Sequence, residues 1–211
     1  MSTTFEIYPV NSAAPNYKNI IETAESFISS CLSKFSIPFK LQILVKIHHF
    51  NEKYNTGISP LDPFILKENE YAWFYYESIP GGTDSYFREI DDDMKNDFLH
   101  KELLNNNRSI QNIVAKIEQI EKNHKYWYFR RSAGQPAIIN LTYGMLAASL
   151  AKYTEGIIYS DDNAWSFQKF PCEYEEFLSF YFNPNNETNG NEFNEWSERC
   201  IKEIRKQMDR Y

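Results

Sequence analysis

The feature that most constrains the fold is a long, nearly uncharged segment at residues 137–153. Its residues are apolar or small, apart from a few polar positions and the single charge of Lys152. Pro136 occupies a position that proline favours at the start of a helix, and Gly156 follows where a helix would end. A surface helix needs a broad polar face, which this segment does not have. The sequence therefore predicts a helix buried on most sides, with the other elements packed around it.

Apolar strands on both sides of this helix predict a strand–helix–strand unit. Residues 126–129 precede the helix and residues 157–159 follow it, so the two strands would run parallel if they join one sheet. Segment 79–84 holds one proline and two glycines between aromatic runs, which predicts a β-hairpin with a loop longer than two residues. Other strand candidates are 5–10, 39–47, 71–77 and 85–90, and other helix candidates are 20–32, 91–104, 110–122, 174–182 and 193–208.

Together these patterns predict the α+β class. We expect a single domain spanning residues 1–211, with a mixed β-sheet of about five or six strands packed against helices. The strand order stays open. The chain is long enough for one sizeable core, and no repeat or linker divides it. No apolar run approaches the length of a membrane span, so none is predicted.

Aromatic residues make up 17% of the chain and alternate along two predicted strands, 71–77 and 126–129. Successive strand side chains point to opposite faces, so each strand is expected to bury one row and turn tyrosines outward. Core packing is the first interpretation of these aromatic residues. The second is that the outward-facing ones anchor a protein partner.

The charge distribution bears on the class of partner. The chain carries 22 basic and 29 acidic side chains, a net charge of −7, and the acids dominate 61–105 and 154–211. Nucleic-acid binders present a positive surface, so this pattern argues against nucleic acid and favours a cationic protein partner. The alternative is that the acids only solvate loops and helix starts. The residues expected to contact a partner are Asp91, Asp92, Asp93, Asp161, Asp162, Trp165 and Glu173.

The segment before the apolar helix is a candidate anion site. Arg130, Arg131 and Gln135 precede the helix N terminus, where backbone N–H groups and the helix dipole favour a phosphate or carboxylate. The spacing matches neither the GxGxxG nor the GxxxxGK[ST] pattern. The alternative is that one arginine pairs with an acid such as Asp161 or Asp162 while the other faces solvent.

The sequence contains no catalytic or metal-binding motif. Cys31, Cys172 and Cys200 are odd in number and widely spaced, which fits neither a disulfide framework nor a zinc knuckle and predicts reduced thiols. The four histidines have no metal-ligand spacing. We therefore expect no catalytic residue, no metal and no cofactor. Because the N terminus lacks the basic start and apolar stretch of a secretory signal, we expect a cytoplasmic protein.

The region 126–182 resembles a known family. After its apolar helix, the chain continues into a strand and a loop of the G-[IL]-I-x-S-x-D-x-A-W type, with Gly156, Ser160, Asp162 and Trp165 at the motif positions. This pattern is similar to cytoplasmic immunity proteins of bacterial polymorphic-toxin and contact-dependent inhibition systems. The resemblance implies a non-enzymatic inhibitor that binds a cognate toxin inside the producing cell. Such families share no fixed set of binding residues, so the resemblance assigns none.

Three hypotheses follow for function. The first is a toxin-neutralising protein that covers a basic active site with acidic loops. The second, in another class, is an enzyme or sensor that binds a phosphorylated small molecule at the Arg130–Gln135 helix entrance. The third is a scaffold or structural subunit.

Overall fold

The computed structural model describes residues 2–50, 58–92 and 113–210. Within them lie six strands and five α-helices. The predicted helix at 91–104 falls mainly outside the described residues, and so does Asp93. In chain order the elements are β1 (Thr3–Tyr8), α1 (Tyr17–Ser33), β2 (Leu44–His49), β3 (Glu70–Tyr76), β4 (Ile79–Glu89), α2 (Ile113–Asn123), β5 (Lys125–Arg131), α3 (Ala137–Thr154), β6 (Ile157–Tyr159), a 3₁₀ turn (Phe167–Lys169), α4 (Tyr174–Phe180) and α5 (Asn191–Met208).

The strands form one open sheet in the order β2-β3-β4-β5-β1-β6. This confirms the α+β class with six strands. The predicted mixed sheet is wrong in detail, because every hydrogen-bonded strand pair is antiparallel. β5 and β6 do run parallel to each other, since each is antiparallel to β1. β1 lies between them and takes the hydrogen bonds of both, so the two parallel strands do not pair.

The apolar helix α3 is the centre of the fold. Sixteen of its eighteen residues are buried, and Lys152 and Tyr153 are the exceptions. The buried hydroxyl groups of Thr142, Ser149 and Thr154 find partners inside the protein. The Ser149 hydroxyl donates to the carbonyl of Ile20 in α1, and the Thr154 hydroxyl donates to the carbonyl of Leu150. The prediction of a helix buried on most sides is confirmed.

A glycine allows the segment after α4 to approach α3 closely. A Cβ on Gly144 would lie 2.2 Å from the ring of Tyr181, which no real contact allows. The Tyr181 hydroxyl donates to the backbone carbonyl of Asn140, one turn earlier in α3. Tyr181 therefore lies flat against the helix backbone and closes the core on that side.

Two predicted strand boundaries are wrong. β3 and β4 form the predicted hairpin, but two residues connect them rather than a longer loop. Both glycines lie inside β4, where the pairing with β3 shifts register: Gly81 has φ +95°, and a Cβ on Gly82 would lie 2.7 Å from the Trp73 ring. They mark a bulge and a close ring contact, not the turn.

β2 begins at Leu44 rather than residue 39, because the Ile43 N–H donates to Glu25 instead of a strand.

The two faces of the sheet differ in what covers them. The main core lies on the α3 side, where Phe5, Phe74 and Phe129 are at most 1% exposed. A smaller cluster lies on the opposite side, where Ile117 and Ile120 of α2 pack against Tyr8, Ile90 and Ile157. We call that opposite side the outer face. α2 covers the part of this face where β1 ends at Tyr8 and β6 begins at Ile157.

The Gly144–Tyr181 contact gives a stability prediction. In an open helix, Gly→Ala is stabilising by about 0.5–1 kcal/mol. Gly144→Ala should instead lower the free energy of unfolding by about 1–3 kcal/mol, because the new methyl group overpacks against Tyr181. Urea unfolding followed by circular dichroism measures the difference. Lys152→Ala, at an exposed position of the same helix, should change stability by less than about 0.5 kcal/mol. Unchanged or raised stability of Gly144→Ala would contradict the contact.

Candidate functional site

The outer face carries most of the exposed aromatic and charged side chains of the sheet. The alternation predicted for β3 is confirmed, since Phe74 and Tyr76 are buried while Tyr71, Trp73 and Tyr75 are half-buried. Cross-strand register brings residues of six strands to the same side. They include Lys46 and His48 of β2, Asp84, Tyr86 and Arg88 of β4, Tyr126, Tyr128 and Arg130 of β5, Thr4, Glu6 and Tyr8 of β1, and Tyr159 of β6.

Four rings stack across the outer face from β2 to β5. His48 lies 4.8 Å from Tyr71, measured between ring centroids, and Tyr71 lies 5.5 Å from Tyr86. Tyr86 in turn lies 4.7 Å from Tyr128. The angles between successive ring planes are 7°, 26° and 15°, so the rings are nearly parallel. We call these four residues the aromatic ladder. Each rung comes from a different strand, so the sheet itself sets the spacing.

Stacking decides which part of each ring a ligand can reach. Tyr71 and Tyr86 have a neighbouring ring on both sides, so the faces of these two rings are already in use. The Arg88 guanidinium adds a cation–π contact, 5.6 Å from the Tyr86 ring and 6.0 Å from the Tyr128 ring. Bases stack on a free ring face, which the middle of the ladder does not offer. The ladder is better suited to edge contacts and hydrogen bonds with a protein surface.

An ion pair holds Tyr86, one of the two middle rings of the ladder. The Asp84 Oδ2 atom accepts hydrogen bonds from Arg130 Nη2 at 2.6 Å, from Arg130 Nε at 3.1 Å and from the Tyr86 hydroxyl at 2.9 Å. Burial, together with the Asp84 charge, raises the pKa of Tyr86. Arg130 therefore pairs with Asp84 rather than with Asp161 or Asp162, the partners suggested by the sequence. The pairing arises because these residues face each other in the β4–β5 register.

Three carboxylates come together at the β1–β6 end of the outer face. Burial raises the pKa of Glu6 to about 7, the hydrogen bond from Tyr8 opposes this rise, and the charges of Asp161 and Asp162 add to it. Asp162 also accepts hydrogen bonds from the Thr4 hydroxyl at 2.6 Å and from the Ser160 hydroxyl at 3.2 Å. We call Glu6, Asp161 and Asp162 the acidic end. Sequence reasoning missed Glu6, although its alternation with Phe5 and Ile7 indicates the outward position.

The remaining predicted acids are Asp91, Asp92, Asp93 and Glu173. Asp91 and Asp92 are exposed just after β4, and the charge of Asp91 is one of the causes that raise the pKa of Tyr126. Glu173, at the start of α4, forms an ion pair with Lys116 of α2. Asp93 lies outside the described residues. The structure thus brings Asp161 and Asp162 together with Glu6, and places Glu173 against α2.

Trp165 is a correction to the predicted partner-contacting residues. Its side chain is completely buried, and its ring packs against those of Tyr181, Phe193 and Trp196. The indole N–H points towards the Asn189 side chain at 3.5 Å. The loop that carries Asp161 and Asp162 therefore uses Trp165 to attach itself to the core. Trp165 is not available to a partner.

The predicted anion site at the α3 entrance is not assembled. Arg130 and Arg131 are consecutive strand residues, so their side chains leave opposite faces of the sheet. The Gln135 side chain accepts a hydrogen bond from the Gly82 N–H at 3.3 Å. The N–H of Ala137, at the start of α3, has no acceptor within the helix and donates to the Glu203 carboxylate at 3.1 Å. An intramolecular carboxylate thus occupies the position proposed for a bound anion.

Cys31, Cys172 and Cys200 are free and buried, and burial raises the pKa of Cys31 and of Cys200 to about 11. In the ranges 2–50, 58–92 and 113–210, no three His, Cys, Asp or Glu side chains are grouped to hold a metal ion, and no helix has the length and hydropathy of a membrane span.

Searches of protein-family models, curated proteins and solved structures gave no match.

The position of Glu6 gives a pH-dependence prediction. The folded protein holds the Glu6 proton up to a pH of about 7, whereas a carboxyl with the ordinary pKa of 4.5 loses it earlier. The free energy of unfolding is therefore expected to fall as the pH rises from 4.5 to 7. Above pH 7 the contribution of Glu6 is fully lost. Glu6→Gln, which has no charge to bury, should be more stable than the wild type at pH 8 by about 2–3 kcal/mol and similar to it at pH 4.5.

Thermal or urea unfolding of both proteins at the two pH values checks this difference. Glu77→Gln is the matched control, since Glu77 is exposed in the β3–β4 turn. This control should follow the wild type at both pH values. An equal effect of Glu6→Gln at pH 4.5 and pH 8 would show that burial does not perturb the Glu6 carboxyl.

Proposed function

We propose that this chain is a non-enzymatic immunity protein, which binds and neutralises a cognate toxin domain in the cytoplasm of the producing cell. The outer face is the proposed docking surface. One observation carries the proposal: the aromatic ladder, with Trp73 and Arg88 beside it, forms a preorganised, partly exposed surface of the residue types that dominate protein-binding hot spots.

The rigidity of this surface favours tight binding. A flexible side chain loses conformational entropy when a partner orders it, and this loss weakens association. The ladder rings are already held by their neighbours, and Tyr86 is also held by its hydrogen bond to Asp84. Trp73 lies against Gly82, where no side chain could fit between them. Little ordering is left to occur when a partner docks.

Charge supports a toxin partner with a basic active site. The acidic end lies beside the ladder, since Glu6 is opposite Tyr128 in the β1–β5 register. A basic cleft placed over the ladder would therefore meet the carboxylates of Asp161 and Asp162 beside Glu6. Charge complementarity of this kind accelerates association and rejects wrong partners. Trp165, being buried, has no part in the contact.

The family resemblance supports the same surface. The region 126–182 supplies Tyr128 and Arg130 to the outer face, and its loop supplies Asp161 and Asp162 to the acidic end. The residues that resemble immunity proteins thus contribute to both parts of the proposed docking surface. The first half of the chain completes the face through β2, β3 and β4.

Growth rescue tests the proposal. Candidate toxin domains from the same source are co-expressed with this chain, and a cognate toxin should become harmless and co-purify as a stable complex. Trp73→Ala and Arg88→Ala, on the outer face, should each weaken the complex by about 30-fold or more, as hot-spot substitutions do. Surface plasmon resonance measures the change, and circular dichroism checks that each variant is folded.

Two substitutions elsewhere serve as controls. Lys152→Ala on α3 and Lys202→Ala on α5 remove exposed cations away from the outer face and should leave affinity unchanged. Neither rescue nor a complex with any candidate toxin would remove the support for an immunity protein. Wild-type affinity in both outer-face variants would show that the partner docks elsewhere.

A further inference from the structure

The second arginine of β5 opens a different site on the α3 side of the sheet. Arg131 is the last residue of β5, and its side chain lies between α3 and α5. Its guanidinium stacks 5.6 Å from the Tyr143 ring and 5.8 Å from the Trp196 ring. Two aromatic rings therefore fix the position of this cation.

The Arg131 cation has no anionic partner within the described part of the chain. Its Nε–H is buried and makes no hydrogen bond, and no carboxylate of a described residue forms an ion pair with the guanidinium. The nearby Glu203 is engaged by the N–H of Ala137. Arg131 is partly exposed as a residue, but its Nε–H is buried, and a buried N–H without an acceptor is costly. The Arg131 side chain is therefore unusual for a purely structural arginine.

A cavity of about 170 Å³ lies directly at this arginine. Arg131 lines it from β5, Asn163 lines it from the loop after β6, and Glu192, Trp196 and Arg199 line it from α5. These α5 residues are spaced by four and three positions, so they share one face of the helix. One water takes about 30 Å³, so the space suits a few waters or one small anion.

The second guanidinium reinforces the positive charge of the cavity. Arg199 is exposed and forms no ion pair within the described residues. Arg131 and Arg199 line the same cavity, from β5 and from α5. Burial raises the pKa of the nearby Cys200 thiol, the Glu203 charge adds to the rise, and the charges of Arg131 and Arg199 oppose it. The first turns of α5 also border the cavity, so the helix dipole adds to the positive potential.

We propose that this cavity binds a small oxyanion, the carboxylate or phosphate group of a free small molecule, between Arg131 and Arg199. The Asn163 amide offers a further donor, and the Trp196 ring forms an apolar wall. Glu192 is the one carboxylate in the lining, and it limits the affinity by repelling the anion. The site is separate from the outer face and does not depend on toxin binding.

Isothermal titration of the full chain with inorganic phosphate, and separately with acetate, tests the proposal at constant ionic strength. The wild type should bind at least one of the two with saturation, and whichever binds identifies the class of anion. Arg199→Gln should weaken binding by about tenfold, the usual effect of losing a charge-assisted hydrogen bond. Glu192→Gln should strengthen it. Because both residues are exposed, neither substitution should disturb the fold.

Lys202→Gln is the matched control. It removes the same charge as Arg199→Gln from an exposed position of the same helix, but Lys202 does not line the cavity. Its affinity should equal that of the wild type. No saturable binding of either anion would overturn the proposal. Equal weakening in Arg199→Gln and Lys202→Gln would also overturn it, since that result indicates a general charge effect.

Discussion

The burial of α3 is the constraint on which the rest of the structure depends. A helix with hardly any polar face must be covered on nearly all sides, and β5, β1, α1, α4 and α5 all pack against it. Gly144 allows the closest of these approaches, because the Tyr181 ring occupies the space of a side chain. Since one face of the sheet is covered by this helix and the core around it, the alternate residues of every strand are left to form the opposite face. The outer face is the consequence.

The outer face is organised by strand register rather than by a cavity. His48, Tyr71, Tyr86 and Tyr128 come from four strands and stack because the antiparallel pairing places them side by side. The ion pair of Asp84 with Arg130 ties the same strands together. The polar groups of the outer face largely bind one another, so this face suits a partner whose own surface is preformed. The anion site proposed at Arg131 follows from the same alternation, since consecutive arginines must leave opposite faces.

Local sequence patterns predicted the features of the fold that depend on neighbouring residues. The nearly uncharged run of α3, the alternation of β3 and the α+β class with about five or six strands could all be read from neighbouring residues. The insertion of β1 between β5 and β6 could not, because it depends on pairing between distant segments. Glycines in β4 resembled a turn, but they serve a bulge and the Trp73 contact. The burial of Trp165 and the pairing of Arg130 with Asp84 are likewise tertiary. Both depend on residues that are distant in the sequence, so neighbouring residues do not indicate them.

The central claim is that the molecule acts through its outer face, and side-chain footprinting of a complex tests this most directly. Hydroxyl radicals oxidise exposed aromatic rings, so rates of oxidation measured by mass spectrometry report which rings a partner covers. When the proposed toxin partner binds, oxidation of Tyr71, Trp73 and Tyr128 should fall, while that of Tyr153 on α3 should stay the same. Protection of Tyr153 with no change at the three outer-face rings would contradict the account.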